Sequence, residues 1–138
     1  MVYSVAPGLH FILCWRLMKM TLQAIIKQCL SYPETEETTP FGPDTLVYKV
    51  CGKMFAATDP NAFPSRVNLK CDPDVAIELR DRYEAVQPGY HMNKKHWNTI
   101  YLDGTLPAPL IEKMVENSYR LVLMSLKKAD SERILEQL

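Results

Sequence analysis

The 138 residues are the length of one domain, and the equal numbers of acidic and basic residues, 16 each, exclude a protein that attracts nucleic acid by its overall charge. A hydrophobic fraction of 47% and a charged fraction of 23% exclude a disordered or fibrous chain. Cys14, Cys29, Cys51 and Cys71 show neither a CxxC pair nor zinc-ligand spacing. We expect them to be reduced, with at least two buried, in a cytoplasmic protein.

Residues 1–19 are rich in apolar side chains, but their pattern fits neither a signal peptide nor a membrane span. Arg16 and Lys19 follow the apolar stretch instead of preceding it. The stretch is also shorter than the roughly 20 apolar residues that cross a bilayer. Because Met20 directly precedes a clear helix start, we interpret 1–19 as an upstream extension and 20–138 as one domain. An additional packed helix or strand in 1–19 is the alternative.

The first predicted elements are a helix and an acidic loop. Thr21 is a favourable N-cap, and apolar residues recur at helical spacing across 22–30, which predicts an amphipathic helix to about Ser31. A proline follows two residues later and cannot continue the helix. The segment 34–44 carries only acidic charges, two prolines and a glycine, so we predict a loop that contains at most a short edge strand.

Three strands are predicted next. Two β-rich runs, 46–50 and 54–58, flank a turn and predict a hairpin. Residues 66–70 alternate basic or polar side chains with valine and leucine, which is typical of a strand with one solvent-exposed face. That exposed face is basic.

The second half of the chain alternates helices with one or two further strands. The Asp-Pro pair at 72–73 caps a helix that runs to about Arg82, residues 97–102 predict the last strand, and Pro107 starts a long helix. Ser131 is expected to cap a short final helix. The buried stripe of the middle helix is predicted to be Val75, Ala76, Leu79 and Tyr83. This order predicts an α+β fold, a two-layer sandwich of an antiparallel sheet with helices on one face.

We interpret the polar and aromatic segment from Tyr90 to Tyr101, which has no acidic residue, as the functional surface. Its lysines could contact phosphates, its asparagines phosphates or base edges, and its second histidine and tryptophan could stack on a base. These candidates are Lys94, Lys95, Asn93, Asn98, His96 and Trp97. The alternative interpretation is that Trp97 and Tyr101 pack in the core while the lysines are simply solvated.

A second basic surface depends on how the strands pair. If the hairpin and the next strand are neighbours, four cations lie on adjacent strands or their turn: Lys49, Lys53, Arg66 and Lys70. Only Asp59 offsets them locally. Such a strip beside Lys94 and Lys95 would give a neutral protein one positive face, with binding to DNA that weakens steeply with salt.

No catalytic centre, metal site or cofactor site is predicted. His91 and His96 lack a carboxylate or cysteine at a matching position, so we expect no metal there. Cys51 and Cys71 are more typical of structural cysteines than of nucleophiles. Five glycines and the lack of a glycine-rich phosphate loop argue against a dinucleotide cofactor. We therefore expect a protein without enzymatic activity.

The segment His91-Met92-Asn93-Lys94-Lys95-His96-Trp97-Asn98-Thr99-Ile100-Tyr101-Leu102-Asp103-Gly104 closely resembles the signature of the MmcQ/YjbR family. The resemblance covers nearly everything beyond residue 19. It implies a small bacterial cytoplasmic protein with a CyaY-like, that is frataxin-like, α+β fold and DNA binding through a double-wing arrangement. The residues that match the motif are His91, Asn93, Lys94, His96 and Trp97. Iron binding is not carried over, because the helix at 21–30 has no acidic residue.

The sequence thus leads to one functional prediction and one alternative. The prediction is a monomeric, non-enzymatic protein that binds double-stranded DNA without a membrane or metal partner. The residues predicted to contact the phosphate backbone of the DNA are Lys94, Lys95, Arg66 and Lys70. Those predicted to lie at a groove of the DNA are His96, Trp97 or Asn93. The alternative is a small-ligand or protein-interaction module, whose pocket is formed by Tyr90, His91, His96, Trp97 and Tyr101.

Overall fold

The computed structural model describes residues 20–138, which form a six-stranded antiparallel sheet and four helices. The helices are α1 (Leu22–Ser31), α2 (Pro73–Arg82), α3 (Ala108–Met124) and α4 (Lys128–Leu135). The strands are β1 (Thr35–Thr38), β2 (Leu46–Val50), β3 (Lys53–Thr58), β4 (Arg66–Lys70), β5 (Val86–Pro88) and β6 (Trp97–Tyr101). The strand order is β1-β2-β3-β4-β6-β5. The α+β prediction is confirmed, whereas the interpretation of residues 1–19 lies outside the described residues.

Local capping signals explain where the first two long elements begin. The hydroxyl of Thr21 accepts the N–H of Ala24 at 3.1 Å, and the carboxylate of Asp72 accepts the N–H groups of Asp74 and Val75. Both helix starts were predicted. The predicted cap at Ser131 is wrong, because α4 begins three residues earlier and that serine lies inside the helix.

The core lies between the sheet and the helices, with α3 across β2, β3 and β4. Its centre is an aromatic cluster in which the rings of Tyr32 and Tyr119 stack at 4.5 Å and Phe55 meets Tyr119 edge-on at 5.1 Å. The hydroxyl of Tyr119 donates to the carbonyl of Pro33 at 2.7 Å, so this fully buried side chain ties α3 to the end of α1.

Ser118 joins α3 to the sheet at the point where two strands part. β3 and β4 pair only through Ala56 with Leu69 and Ala57 with Asn68. Beyond these pairs the hydroxyl of Ser118 donates to the carbonyl of Phe55 at 2.5 Å and accepts the N–H of Lys70 at 2.8 Å. One buried side chain therefore satisfies two backbone groups that the strand ladder leaves open.

The predicted buried stripe of α2 needs correction. Val75 is 45% exposed, so the stripe that α2 buries is narrower than predicted and centres on Ala76. Of the three described cysteines, only Cys29 is buried, whereas Cys71 is half-buried and Cys51 is exposed. Because Cys14 lies outside the described residues, the expectation of at least two buried cysteines among the four stays a prediction. Burial raises the pKa of the Cys29 thiol to about 12, which makes this thiol unreactive.

The start of β1 is tied to α4 by a charged cluster. The carboxylate of Glu34 accepts from the Nε of Arg133 at 3.0 Å, from its second terminal nitrogen at 2.7 Å, and from Gln137 at 2.8 Å. These hydrogen bonds, those from Arg133 first, lower the pKa of Glu34 to about 2. Because this value lies below that of an unfolded chain, the cluster stabilises the fold only where the carboxyl is ionised.

Stability should therefore decline in acid by a component that belongs to Glu34. We expect the difference in unfolding free energy between the wild type and Glu34→Gln to be constant above about pH 5 and to shrink as pH falls from about 4 towards 2. Urea unfolding across that range measures it. Arg133→Gln should remove the same component, and the double variant should lose little more. A difference that is unchanged at pH 2 would contradict the assignment.

Candidate functional site

The candidate site lies on the face of the sheet that carries no helix, which we name the open face. Arg66, Asn68 and Lys70 lie there because they alternate along β4 with two residues buried beneath the helices. Loops at both ends of the sheet border a groove of about 530 Å³ on this face, which we name the open-face groove. Its lining consists of Phe41, Thr45, Met54, Ala57, Thr58, Asp59, Arg66, Asn68, Tyr90, His91 and Met92.

Three side chains are stacked at one wall of the open-face groove. The rings of Tyr90 and His91 lie 4.0 Å apart at an angle of 50°, and the guanidinium carbon of Arg66 lies 5.1 Å from the centre of the Tyr90 ring. His91 has a left-handed backbone with φ of 57°, at the turn that brings both rings to the groove. The array offers exposed aromatic surface next to a fixed positive charge.

Hydrogen bonds hold the beginning of this loop against the sheet. The N–H of Tyr90 donates to the hydroxyl of Thr99 at 2.8 Å, and that hydroxyl donates to the side-chain oxygen of Asn68 at 2.5 Å. One residue earlier, the N–H of Gly89 donates to the carbonyl of Trp97 at 2.9 Å. The aromatic pair is thus fastened to β4 and β6.

Gly89 is required here by close approach. A Cβ atom at this position would lie 2.8 Å from the Cβ of Trp97 and 3.0 Å from its carbonyl oxygen. We expect Gly89→Ala to reduce the unfolding free energy by about 1–3 kcal/mol, because the loop must move away from β6. Urea denaturation measures this loss. The matched control Gln87→Ala, at an exposed position in β5 two residues before Gly89, should change it by less than about 0.5 kcal/mol. Equal losses would contradict the steric explanation.

Asn93 shapes the turn before β6. Its side-chain oxygen accepts the N–H of Lys95 at 2.9 Å, and its carbonyl accepts the N–H groups of His96 and Trp97 at 3.2 and 3.0 Å. These bonds account for an asparagine at this position without any ligand. A structural role for Asn93 therefore stands beside its predicted contact with DNA.

The predicted lysines lie where β4 ends and β6 begins. Lys70 is the register partner of Trp97, which directly follows the turn that carries Lys94 and Lys95. Lys95 is exposed, and the Nζ of Lys94 donates to the carbonyl of Gly89 at 2.9 Å. These lysines and Arg66 therefore mark opposite ends of β4, about 13 Å apart by strand geometry.

Arg80 is a site residue that the sequence analysis did not identify. Its Nε donates to the side-chain oxygen of Asn98 at 2.7 Å, and a terminal nitrogen donates to the carbonyl of Lys94. Asn98 is 1% exposed and faces α2, so its predicted contact with DNA is wrong. The available signal was that Arg80 lies one helical turn after buried Ala76, where an arginine needs partners.

The predicted aromatic and histidine pocket is only partly assembled. Tyr90 and His91 line the open-face groove, whereas His96, Trp97 and Tyr101 do not. Trp97 is 9% exposed but lies outside the main hydrophobic cluster, against which Tyr101 is packed. Trp97 is thus buried, as the core-packing alternative predicted, and its predicted contact with a DNA groove is wrong. Tyr101 packs against the main cluster, as the same alternative predicted.

The predicted basic strip is also divided. The Nζ of Lys53 donates to the carbonyl of Ser125 at the end of α3, on the helix side of the sheet. Lys49 has Glu36 as its register partner on the edge strand, so Asp59 is not the only carboxylate that offsets the strip. Arg66 and Lys70 remain on the open face.

Neither a metal cluster nor a membrane-spanning helix is found among residues 20–138. No group of three or more histidine, cysteine, aspartate or glutamate side chains is arranged there to hold a metal ion. No helix in that range is long and apolar enough to cross a bilayer.

Fold and groove together define a small α+β protein whose sheet is covered by helices on one face and open on the other. The YjbR family model matches residues 30–121, and the chain belongs to that family. YbdF of Escherichia coli O157:H7 is 34% identical over 117 residues, which are 84% of this chain and 96% of that protein. YjbR of Escherichia coli strain K12 is 32% identical over 119 residues, 86% of this chain and 100% of that protein.

Solved structures agree with this assignment. The crystal structure of the Deinococcus radiodurans protein DR2400, a DUF419 domain, matches with a TM-score of 0.78 at 40% identity, over 84% of this chain and 88% of that one. A crystal structure of a Pseudomonas syringae protein matches with a TM-score of 0.64 at 28% identity, over 74% and 98% of the two chains. The family resemblance seen in the sequence is confirmed.

Proposed function

We propose that this protein binds DNA across the open face, without enzymatic activity, and that it acts in the cytoplasm. The observation that supports DNA binding is the distribution of ion pairs. Every ion pair among residues 20–138 uses a cation of α3 or α4, namely Lys113, Arg120 or Arg133. Arg66 and Lys70 on the open face, and Lys94 and Lys95 in the turn before β6, have no carboxylate partner in that range; Lys127 and Lys128 have none either, but they lie at the start of α4. Phosphates are the natural partners for such cations.

The two ends of the open face would contact different parts of the DNA. The three lysines lie around the start of β6 and would neutralise backbone phosphates. Arg66 lies under Tyr90 in the open-face groove, where its charge is held beside exposed rings. Tyr90 and His91 would then stack on a base or a sugar. The expectation of DNA binding from the family resemblance agrees with this arrangement.

A second candidate function uses the open-face groove alone. Its volume of about 530 Å³ is typical of small-molecule sites, which span about 300–1,000 Å³. Tyr90 and His91 supply flat apolar surface and Arg66 supplies a positive charge. A planar anion of nucleotide size would fit these groups, and such a ligand would not need the lysines at the far end of β4.

Two lysine pairs distinguish these functions. We expect Lys94→Ala with Lys95→Ala to weaken binding of fluorescent duplex DNA about tenfold or more at low salt and to lower the salt slope by about 1–2. The matched control is Lys127→Ala with Lys128→Ala, an exposed pair at the start of α4 on the helix side. That control should bind DNA as the wild type does.

The measurement is an anisotropy titration at low and near-physiological salt, with thermal unfolding to show that each variant is folded. Equal weakening by the two lysine pairs would contradict the footprint, and absence of binding by the wild type at low salt would contradict DNA binding itself. Saturable binding of a mononucleotide that is lost in Tyr90→Ala but kept in the Lys94 and Lys95 double variant would favour the second candidate.

A further inference from the structure

A second cavity lies on the other side of the sheet, between α2 and α3. It has a volume of about 320 Å³, and we name it the interhelical pocket. Its floor is formed by buried residues of the sheet and of α3, chiefly Leu69, Ile100, Met114 and Asn98. Its rim carries apolar side chains that are unusually exposed, because Val75, Leu121 and Met124 are 45%, 38% and 69% exposed.

The floor of the interhelical pocket favours an apolar ligand. Asn98 is its one buried polar side chain, and the protein already engages both ends of that amide. Its oxygen accepts from Arg80 at 2.7 Å, and its nitrogen donates to the carbonyl of Ala76 at 3.4 Å. A molecule that enters therefore contacts apolar surface, and the floor leaves no polar group that needs a hydrogen bond from it. Burial of the molecule's apolar part would supply the favourable free energy of binding.

The rim of the interhelical pocket carries an excess of positive charge. The charged residues of its lining are Lys70, Arg120 and Asp72, two cations with one anion. Arg120 is held by Glu116 at 3.0 Å, and Lys113, which does not line the pocket, contacts the same carboxylate at 3.6 Å. Asp72 on the opposite rim accepts two N–H groups from the first turn of α2, so the positive end of that helix already balances its charge.

The size of the interhelical pocket limits what can enter. A buried cavity of about 150 Å³ holds one benzene ring, so a volume of about 320 Å³ suits a medium-length acyl chain or a two-ring aromatic body. The occupant is accordingly a small molecule.

We propose that the interhelical pocket binds an amphipathic monocarboxylate. Its apolar body lies over Leu69, Ile100 and Met114, and its carboxylate stays at the rim near Arg120, where it remains hydrated. The open-face groove lies on the other face of the sheet and shares no lining residue with this pocket. Lys70 is the one residue of the proposed DNA surface that also lines the interhelical pocket.

Cys71 provides a built-in reporter because it lines the interhelical pocket and is half-buried. The experiment measures the rate at which a maleimide alkylates Cys71 in a Cys14→Ser, Cys51→Ser background, with decanoate as the probe. Decanoate at about ten times its Kd should slow the alkylation roughly tenfold, since only the unoccupied protein reacts. An unchanged rate at the highest soluble decanoate concentration would overturn the proposal.

Matched variants test where the ligand binds and whether the pocket prefers an anion. Val75→Trp should block the pocket and abolish the protection, whereas Ile77→Trp should retain it, because Ile77 is 55% exposed on the same helix but does not line the pocket. Arg120→Gln should weaken decanoate protection several-fold and Lys113→Gln less. Equal behaviour of the two tryptophan variants would overturn the location. Equal protection by decanol or decyltrimethylammonium would overturn the preference for an anion.

Discussion

Ser118→Ala is expected to destabilise the protein by about 2–4 kcal/mol, far more than the loss of one oxygen atom at the surface. The hydroxyl of Ser118 serves the carbonyl of Phe55 at 2.5 Å and the N–H of Lys70 at 2.8 Å. Alanine would leave both backbone groups without a partner, and each unsatisfied buried group costs about 1–3 kcal/mol. The strands cannot compensate, because β3 and β4 do not pair beyond Ala56 with Leu69.

Urea denaturation followed by far-UV circular dichroism measures the effect. Ser125→Ala is the matched control, because Ser125 is an exposed serine at the end of α3 whose hydroxyl bonds only to the carbonyl of Val122. It should change the unfolding free energy by less than about 0.5 kcal/mol. A loss below about 1 kcal/mol for Ser118→Ala would show that the two backbone groups find other partners.

Arg80→Ala is expected to destabilise the protein by about 2–3 kcal/mol. The guanidinium donates to the buried oxygen of Asn98 at 2.7 Å and also to the carbonyl of Lys94. Hydrogen bonds from a charged donor contribute about 1.5–3 kcal/mol, and the buried amide oxygen would be left without a donor. The loop that carries Tyr90 to Lys95 would also lose its tie to α2.

The next arginine of α2, two residues after Arg80, provides the control. Arg82 is exposed, and its guanidinium lies 5.9 Å from the ring of its neighbour Tyr83, so Arg82→Ala should change the unfolding free energy by less than about 0.5 kcal/mol. Hydrogen exchange should show faster exchange at residues 93–97 in Arg80→Ala alone. If both variants lost equal stability, charge and not the Asn98 contact would be the cause.

Most of the fold could be predicted because its boundaries depend on local signals. The N-caps at Thr21 and Asp72, the prolines and the alternation along residues 66–70 each act within a few residues, and the structure confirms the elements they predict. The prediction at Ser131 is wrong for a related reason. A serine in the first turn of a helix resembles an N-cap, and only the position of the chain entering α4 decides between the two.

The residue types of the candidate site could be predicted from the sequence, but not which of these residues lie together in space. The polar segment after Gly89 was recognised from its residue types, and the structure places Tyr90 and His91 in the open-face groove with Arg66. Phe41 and Asp59 also line this groove, which was not predicted, because strand pairing brings their loops together. Lys53 was predicted in the hairpin turn as part of the basic strip, but its Nζ donates to the carbonyl of Ser125 on the helix side, a contact that depends on how α3 packs.

The class of fold, the family and the segment that carries the candidate site can be recognised from the order of residues, because periodicity, capping and turn residues act over short distances. Which polar side chains serve the fold and which face solvent depends on how the strands and helices pack. Ser118 and Asn98 became internal hydrogen-bonding groups, while Arg66 and Lys70 were left on the open face without carboxylates. The physical reason is that a side chain's partners come from strands and helices distant in the chain, and their distances depend on register and packing.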